Sequence, residues 1–186
     1  MEEINHTIDI LSRVKIALEE QDSEKLKMLS DRTIHSASVY QHTDSILLAI
    51  VTYSLSKILE RKEKLEIKNW QNFIRDISNL LDNSINAIRN GKYKLFTIFL
   101  EKIEQKMQDM SLEMKPMILE VIKKAYINKA SKIYEHGISV AKTTKLLGIS
   151  PWELTEYIAE KENLHLHLNK TIDIRNRAQM ALEFLG

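Results

Sequence analysis

Residues 138–158, ISVAKTTKLLGISPWELTEYI, leave little freedom in how they fold. Leu147 and Ile149 flank Gly148, a residue that takes positive φ at little steric cost and so stops a helix. Ser150 is a good N-cap, Pro151 suits the first helical position, and Glu153 completes an S-x-x-E capping box. A helix stopped by glycine and restarted three residues later is the sequence form of a helix-turn-helix.

The rest of the chain follows the same logic. Its 186 residues include only four Gly and two Pro, which favours long helices joined by short connections. Ile4, Ile8, Leu11 and Leu18 recur near the helical period and predict a first helix over 2–20. Asp22 or Ser23 caps a second, reaching residue 40 with Leu26, Leu29, Thr33, Ala37 and Tyr40 on one face. After a polar break at 41–44, Asp44 is the expected N-cap of a third helix over 45–60. That helix is apolar nearly all round, as a central helix must be. Beyond a charged connector at 61–66, Ile67, Trp70, Ile74, Ile77, Leu81, Ser84 and Ile88 step by three and four toward Asn90-Gly91. Phe96, Phe99, Ile103, Met107 and Met110 form a second stripe, so the two segments predict an αα-hairpin. Pro116 opens a further helix that stops at Gly137.

The predicted fold is all-α: a helical bundle over 1–114, a helix-turn-helix module over 115–163, and a C-terminal arm and short helix over 164–186. The arm is expected because Leu164, Leu166, Leu168, Ile172 and Ile174 fall on alternate residues, interrupted by Lys170, the period of an extended strand. From Thr171 onward, Ile174, Ala178, Ala181 and Leu185 fit one helix face.

Several function classes are excluded or disfavoured. With no cysteine there is no disulfide framework, thiolate metal site or Cys nucleophile. The acidic, amphipathic N-terminus is wrong for a secretory signal, and no apolar run approaches the roughly 20 residues of a membrane span. No membrane is expected as a partner, and the expected location is cytoplasmic. Net charge is +1, with 16 Lys+Arg against 18 Asp+Glu up to residue 114 and 11 against 8 beyond it. A dedicated nucleic-acid binder carries a stronger basic stripe. There is no Gly-rich phosphate loop and no Ser–His–Asp spacing, and neither a cofactor nor a metal site is expected.

The densest polar cluster is Asp31, Arg32, His35, Ser36, Ser38, His42 and Asp44. On a continuing helix Asp31, His35, Ser38 and His42 share a face. Three readings stand: a helix end whose small polar residues let helices approach closely, acid–base chemistry on RNA by Arg32 and His35, or a metal site. Arg32-Thr-Ile-His35 loosely resembles the Arg and His of the HEPN helical-bundle ribonucleases, with a shorter spacing than that family has. His165 and His167 lie on one side of the predicted arm and are read as facing solvent.

In the helix-turn-helix, Val140, Leu147, Ile149, Leu154 and Ile158 or Tyr157 are the expected contacts between the two helices. Ser150, Trp152, Thr155, Glu156 and Ala159 then point outward. Base reading in the major groove favours Arg, Lys, Asn and Gln, and the second helix has none of these before Lys161. Protein contact with Trp152 as an aromatic anchor is therefore the leading reading. DNA contact through Lys142, Lys145, Ser150 and Thr155 is the alternative, and a homodimer is open in both.

The run from Ala130 to Leu154, with Tyr134, Gly137, Ser139, Leu147-Gly148-Ile149-Ser150 and Trp152, resembles small prokaryotic antitoxin-like helix-turn-helix proteins. Thr143-Thr144 stands where that family has an alanine pair, and its N-terminal ribbon-helix-helix is replaced here by the bundle. The resemblance implies a regulatory or adaptor protein rather than an enzyme, paired with a PIN-domain ribonuclease. Leu164, Leu166, Leu168, Ile172 and Ile174 of the arm would then add a strand to the nuclease or fill its groove. Arg175 and Arg177 would neutralise its metal-binding carboxylates.

Overall fold

A computed structural model describes residues 2–40, 43–63, 69–110 and 115–169, with side chains over 4–35, 44–63, 69–110 and 115–161. Among the described residues the chain is all-α. Its helices are α1 (Glu2–Glu19), α2 (Ser23–Tyr40), α3 (Thr43–Glu60), α4 (Trp70–Arg89), α5 (Tyr93–Gln108), α6 (Lys115–Glu135), α7 (Val140–Leu147) and α8 (Pro151–Asn169), with no strand. No helix there is long and apolar enough to cross a membrane.

The core begins with α3, whose Leu48, Val51, Leu55 and Ile58 are sealed against α2, α5 and α6 as an all-round apolar helix requires. Alpha-helix α2 lies closest to it. Ser30 Oγ donates to the Ala49 carbonyl at 2.6 Å, and Thr33 and Thr52 turn their hydroxyls onto their own helices, so small side chains fill the contact. The α4–α5 hairpin forms as the two stripes predict, with Ile77, Leu81 and Ile88 facing Phe96, Leu100 and Ile103 in one core with α1. Of the two candidate caps for α2, Asp22 serves: its Oδ1 accepts the Lys25 N–H at 2.8 Å.

Two expectations are corrected. Asp44 is not the residue ahead of α3, which already starts at Thr43. It sits in the first turn, where a carboxylate complements the helix dipole, and accepts the Thr97 hydroxyl at 2.8 Å. The second concerns the arm: α8 runs through Asn169, so Leu164, Leu166 and Leu168 are helical, not extended, and the boundary at 164 falls inside a helix. Ile172, Ile174, Arg175 and Arg177 lie outside the described residues, as do His42 and Ile67.

Helix α6 ties the C-terminal module to the bundle. Ile118, Val121 and Ile122 belong to the main core, while Ala125 and Ile133 share a second cluster with Ile34, Ile46, Ala49, Ile50 and Ile138. Helices α7 and α8 then pack on α6 and on each other. The turn between them closes as its residues dictate: Gly148 takes φ 65°, and the N–H groups of Gly148 and Ile149 both donate to the Thr144 carbonyl. A Cβ at Gly148 would meet nothing within 4 Å, so a substitution there costs only left-handed backbone strain. Gly148→Ala is expected to lower stability by about 1–2 kcal/mol in thermal melts, and Gly148→Asn, which tolerates that conformation, by less.

Candidate interaction surface

The register of α8 follows from Leu154, fully buried between α8 and its neighbours, with Tyr157 and Ile158 half-buried beside it. On the α7 side Thr143 and Thr144 are buried, and Val140, Leu147 and Ile149 half-buried. The residues expected at the seam are thus at least half-buried where α7 and α8 pack together, with the threonine pair buried beside them. The Thr143 hydroxyl is buried there without a hydrogen-bond partner.

The opposite face carries the outward residues the spacing predicts: Ser150, Trp152, Thr155, Glu156 and Ala159 are exposed, as are Lys142 and Lys145 on α7. Trp152 is 73 % exposed, the highest value among the described large hydrophobic side chains. Its polar neighbours are engaged within the turn. Ser150 Oγ accepts the Trp152 N–H at 3.2 Å, and Thr155 Oγ1 lies 3.0 Å from the Pro151 and Trp152 carbonyls. Glu153 accepts the Ser150 N–H at 3.3 Å and pairs with Lys123 of α6 at 2.6 Å. Those contacts, the lysine first, hold its carboxyl below the usual range and keep it anionic.

Where α2, α3 and α6 meet is a polar junction that the sequence pattern did not reveal. Lys129 of α6 is completely buried, with Nζ 2.7 Å from Asp31 Oδ1 of α2 and 4.2 Å from the centre of the Tyr53 ring of α3. Lys132, one turn on in α6, reaches the same Asp31 oxygen at 2.6 Å. Burial pushes the Lys129 ammonium down to about 8 despite Asp31. Burial raises the Asp31 carboxyl, but hydrogen bonds from Lys129 and Lys132 outweigh it and leave the group below its usual value. A lysine titrating near neutrality has the basicity of a nucleophile, yet its sealed Nζ is out of reach of any solute. One residue earlier, Asn128 Nδ2 donates to the Tyr157 hydroxyl of α8 at 3.0 Å, while its Oδ1 is buried without a partner. An open groove of about 480 Å³ runs past these residues between Tyr53, Lys123, Asn128, Glu153, Glu156 and Tyr157.

Asp31 and His35 share a face of α2, as expected, but the structure divides them. Asp31 is held by two lysines, and His35 lies against His136 at the end of α6, with Nδ1 3.4 Å from Nε2. Arg32 is exposed on α2. Among the described residues no three His, Cys, Asp or Glu side chains are grouped to hold a metal ion. Lys129 left one trace in the sequence: it falls at the apolar register of α6 between Ile122, Ala125 and Ile133. His136 left none. Comparison of the chain with protein-family models, curated proteins and solved structures finds no match.

The junction makes a signed prediction. Asp31→Asn removes the partner that keeps Lys129 protonated, and because an ammonium at about 8 gives up its proton at pH 7 for about 1.4 kcal/mol, the variant is expected to lose about 1–2 kcal/mol, whereas Lys129→Met leaves Asp31 paired with Lys132 and should melt at or above the native temperature. Because the folded Lys129 pKa lies below its unfolded value, the unfolded chain binds more protons between pH 8 and 10.5. Native stability from this group therefore rises across that window. The advantage of Lys129→Met in thermal melts should shrink as pH is raised from 7 toward 10.

Proposed function

We propose that the chain is a cytoplasmic, non-enzymatic regulatory or adaptor protein that binds a partner protein through the outward face of its helix-turn-helix. The observation that carries this reading is Trp152, 73 % exposed on the second helix of the motif. An indole held in water by a capped helix is a large apolar surface at small conformational cost, the type of side chain that dominates protein interfaces. Around it stand Glu156 and Glu160 instead of the Arg, Lys, Asn and Gln that read base edges. The hydroxyls of Ser150 and Thr155 are turned onto the helix backbone. The likeness of residues 130–154 to antitoxin-like proteins makes a PIN-domain nuclease the partner class to try first.

The test is affinity purification of the full chain from cells that make it, alongside Trp152→Ala and the pair Lys142→Glu with Lys145→Glu. A partner retained by the native chain and by the lysine variant, and weakened about 30-fold or more by Trp152→Ala with unchanged circular dichroism, is the expected outcome. Equal retention by Trp152→Ala would overturn it. So would a low-salt DNA gel shift lost in the lysine variant and kept by Trp152→Ala, since that result makes the chain a DNA-binding regulator.

A further inference from the structure

The contact between His35 and His136 brings two metal-type ligands together, and neither the buried junction nor the Trp152 face makes use of it. Residues 101 apart in sequence are brought together by the packing of α6 on α2, near the start of the helix-turn-helix. Nδ1 of His35 and Nε2 of His136 stand 3.4 Å apart. Two imidazole nitrogens bound to one tetrahedral ion at about 2.0–2.1 Å are separated by about 3.3–3.4 Å, the same spacing. The ring centres are 4.8 Å apart with planes inclined at 64°. Rings aligned head-on through those nitrogens would lie farther apart, so at least one lone pair is already turned off the line between them. Both side chains are exposed, which leaves water room to fill the remaining positions.

We infer that His35 and His136 form a two-histidine site for a divalent transition ion such as Zn2+, joining α2 of the bundle to the end of α6. The charges around it select the ion. Asp31, one turn before His35, is committed to Lys129 and Lys132, and Glu135, beside His136, is paired with Lys161. With both carboxylates occupied and Lys132 nearby, the ligands offered are neutral imidazoles, which suit Zn2+, Ni2+ or Cu2+ and not the oxygen-seeking Mg2+ or Ca2+. The direct contact between the rings needs a proton on one facing nitrogen. Metal binding uses both lone pairs and shifts that proton to the outer nitrogen of the same ring, so two neutral histidines bind without losing a proton overall.

An ion bound across α2 and α6 stabilises the folded chain by mass action. In melts of the full chain, ZnCl2 is expected to raise the melting temperature, and MgCl2 is not. His35→Gln and His136→Gln should each abolish the zinc shift while leaving the metal-free melt close to native, because glutamine keeps a hydrogen bond across the contact. A variant lacking His165 and His167 should keep the shift. With Cu2+, electron paramagnetic resonance should show two imidazole nitrogens in the native chain and one in either single variant. A zinc shift that survives in the His35→Gln, His136→Gln double variant, or one lost on removing His165 and His167, overturns the proposal. The absence of any zinc shift in the native chain does so as well.

Discussion

A positive charge with no exposed surface sits where α2, α3 and α6 meet, and the placement of the C-terminal module depends on how that charge is satisfied. Lys129 has one carboxylate, Asp31, and one ring face, Tyr53, supplied by two different helices. An apolar residue at this register would fill the space without calling for either partner. A buried ammonium finds both partners in a single register. Because Asn128, the preceding residue, bonds to Tyr157 of α8, the register that satisfies Lys129 also sets where the helix-turn-helix sits on the bundle. The ion pair thus contributes position more than stability, since burial of the lysine offsets much of the attraction.

The helices were legible because their ends carry specific chemistry. Asp22, Asn90-Gly91, Gly148 and Ser150-Pro151 act locally, within one turn of the residues they cap, and local effects survive in a one-dimensional reading. The centrality of α3 was legible for a related reason: a helix apolar all round has nowhere to go but inside. The failure at residues 164–168 is equally physical. Three leucines at alternate positions are too few to separate a strand from a helix, since Leu164 and Leu168 also share a helical face. No Gly or Pro interrupts the chain between Pro151 and Asn169, and extending a helix already nucleated costs far less than starting a new element.

The polar sites divide along the same line. Trp152 could be placed from Leu154 two positions away, because one buried residue and a 3.6-residue period fix the outward face. Lys129–Asp31 and His35–His136 join residues 98 and 101 apart, and no local pattern announces a partner at that distance. Lys129 at an apolar register is a conflict between residue type and local pattern, and here its resolution is a buried ion pair. The partners of Asp31 and His35 lie in α6 and just after it, about a hundred residues along the chain.

The same division explains why the shape of the helix-turn-helix and its ligand are separate questions. Shape comes from groups that face inward or along the backbone: Leu154, the buried threonine pair, the Gly148 turn and the capping hydroxyls. Thr155 turns its O–H onto carbonyls of its own helix, so that donor is not offered to a phosphate, and Ser150 Oγ accepts the Trp152 N–H. What remains on the surface is an indole with carboxylates beyond it, and the exposed lysines of α7, Lys142 and Lys145, stand on the other helix of the motif. A phosphate backbone lying along α8 would gain from the lysines and lose to Glu156 and Glu160. A protein surface with an apolar pocket ringed by basic groups loses nothing there and gains the buried indole, which is the physical basis for proposing a protein partner.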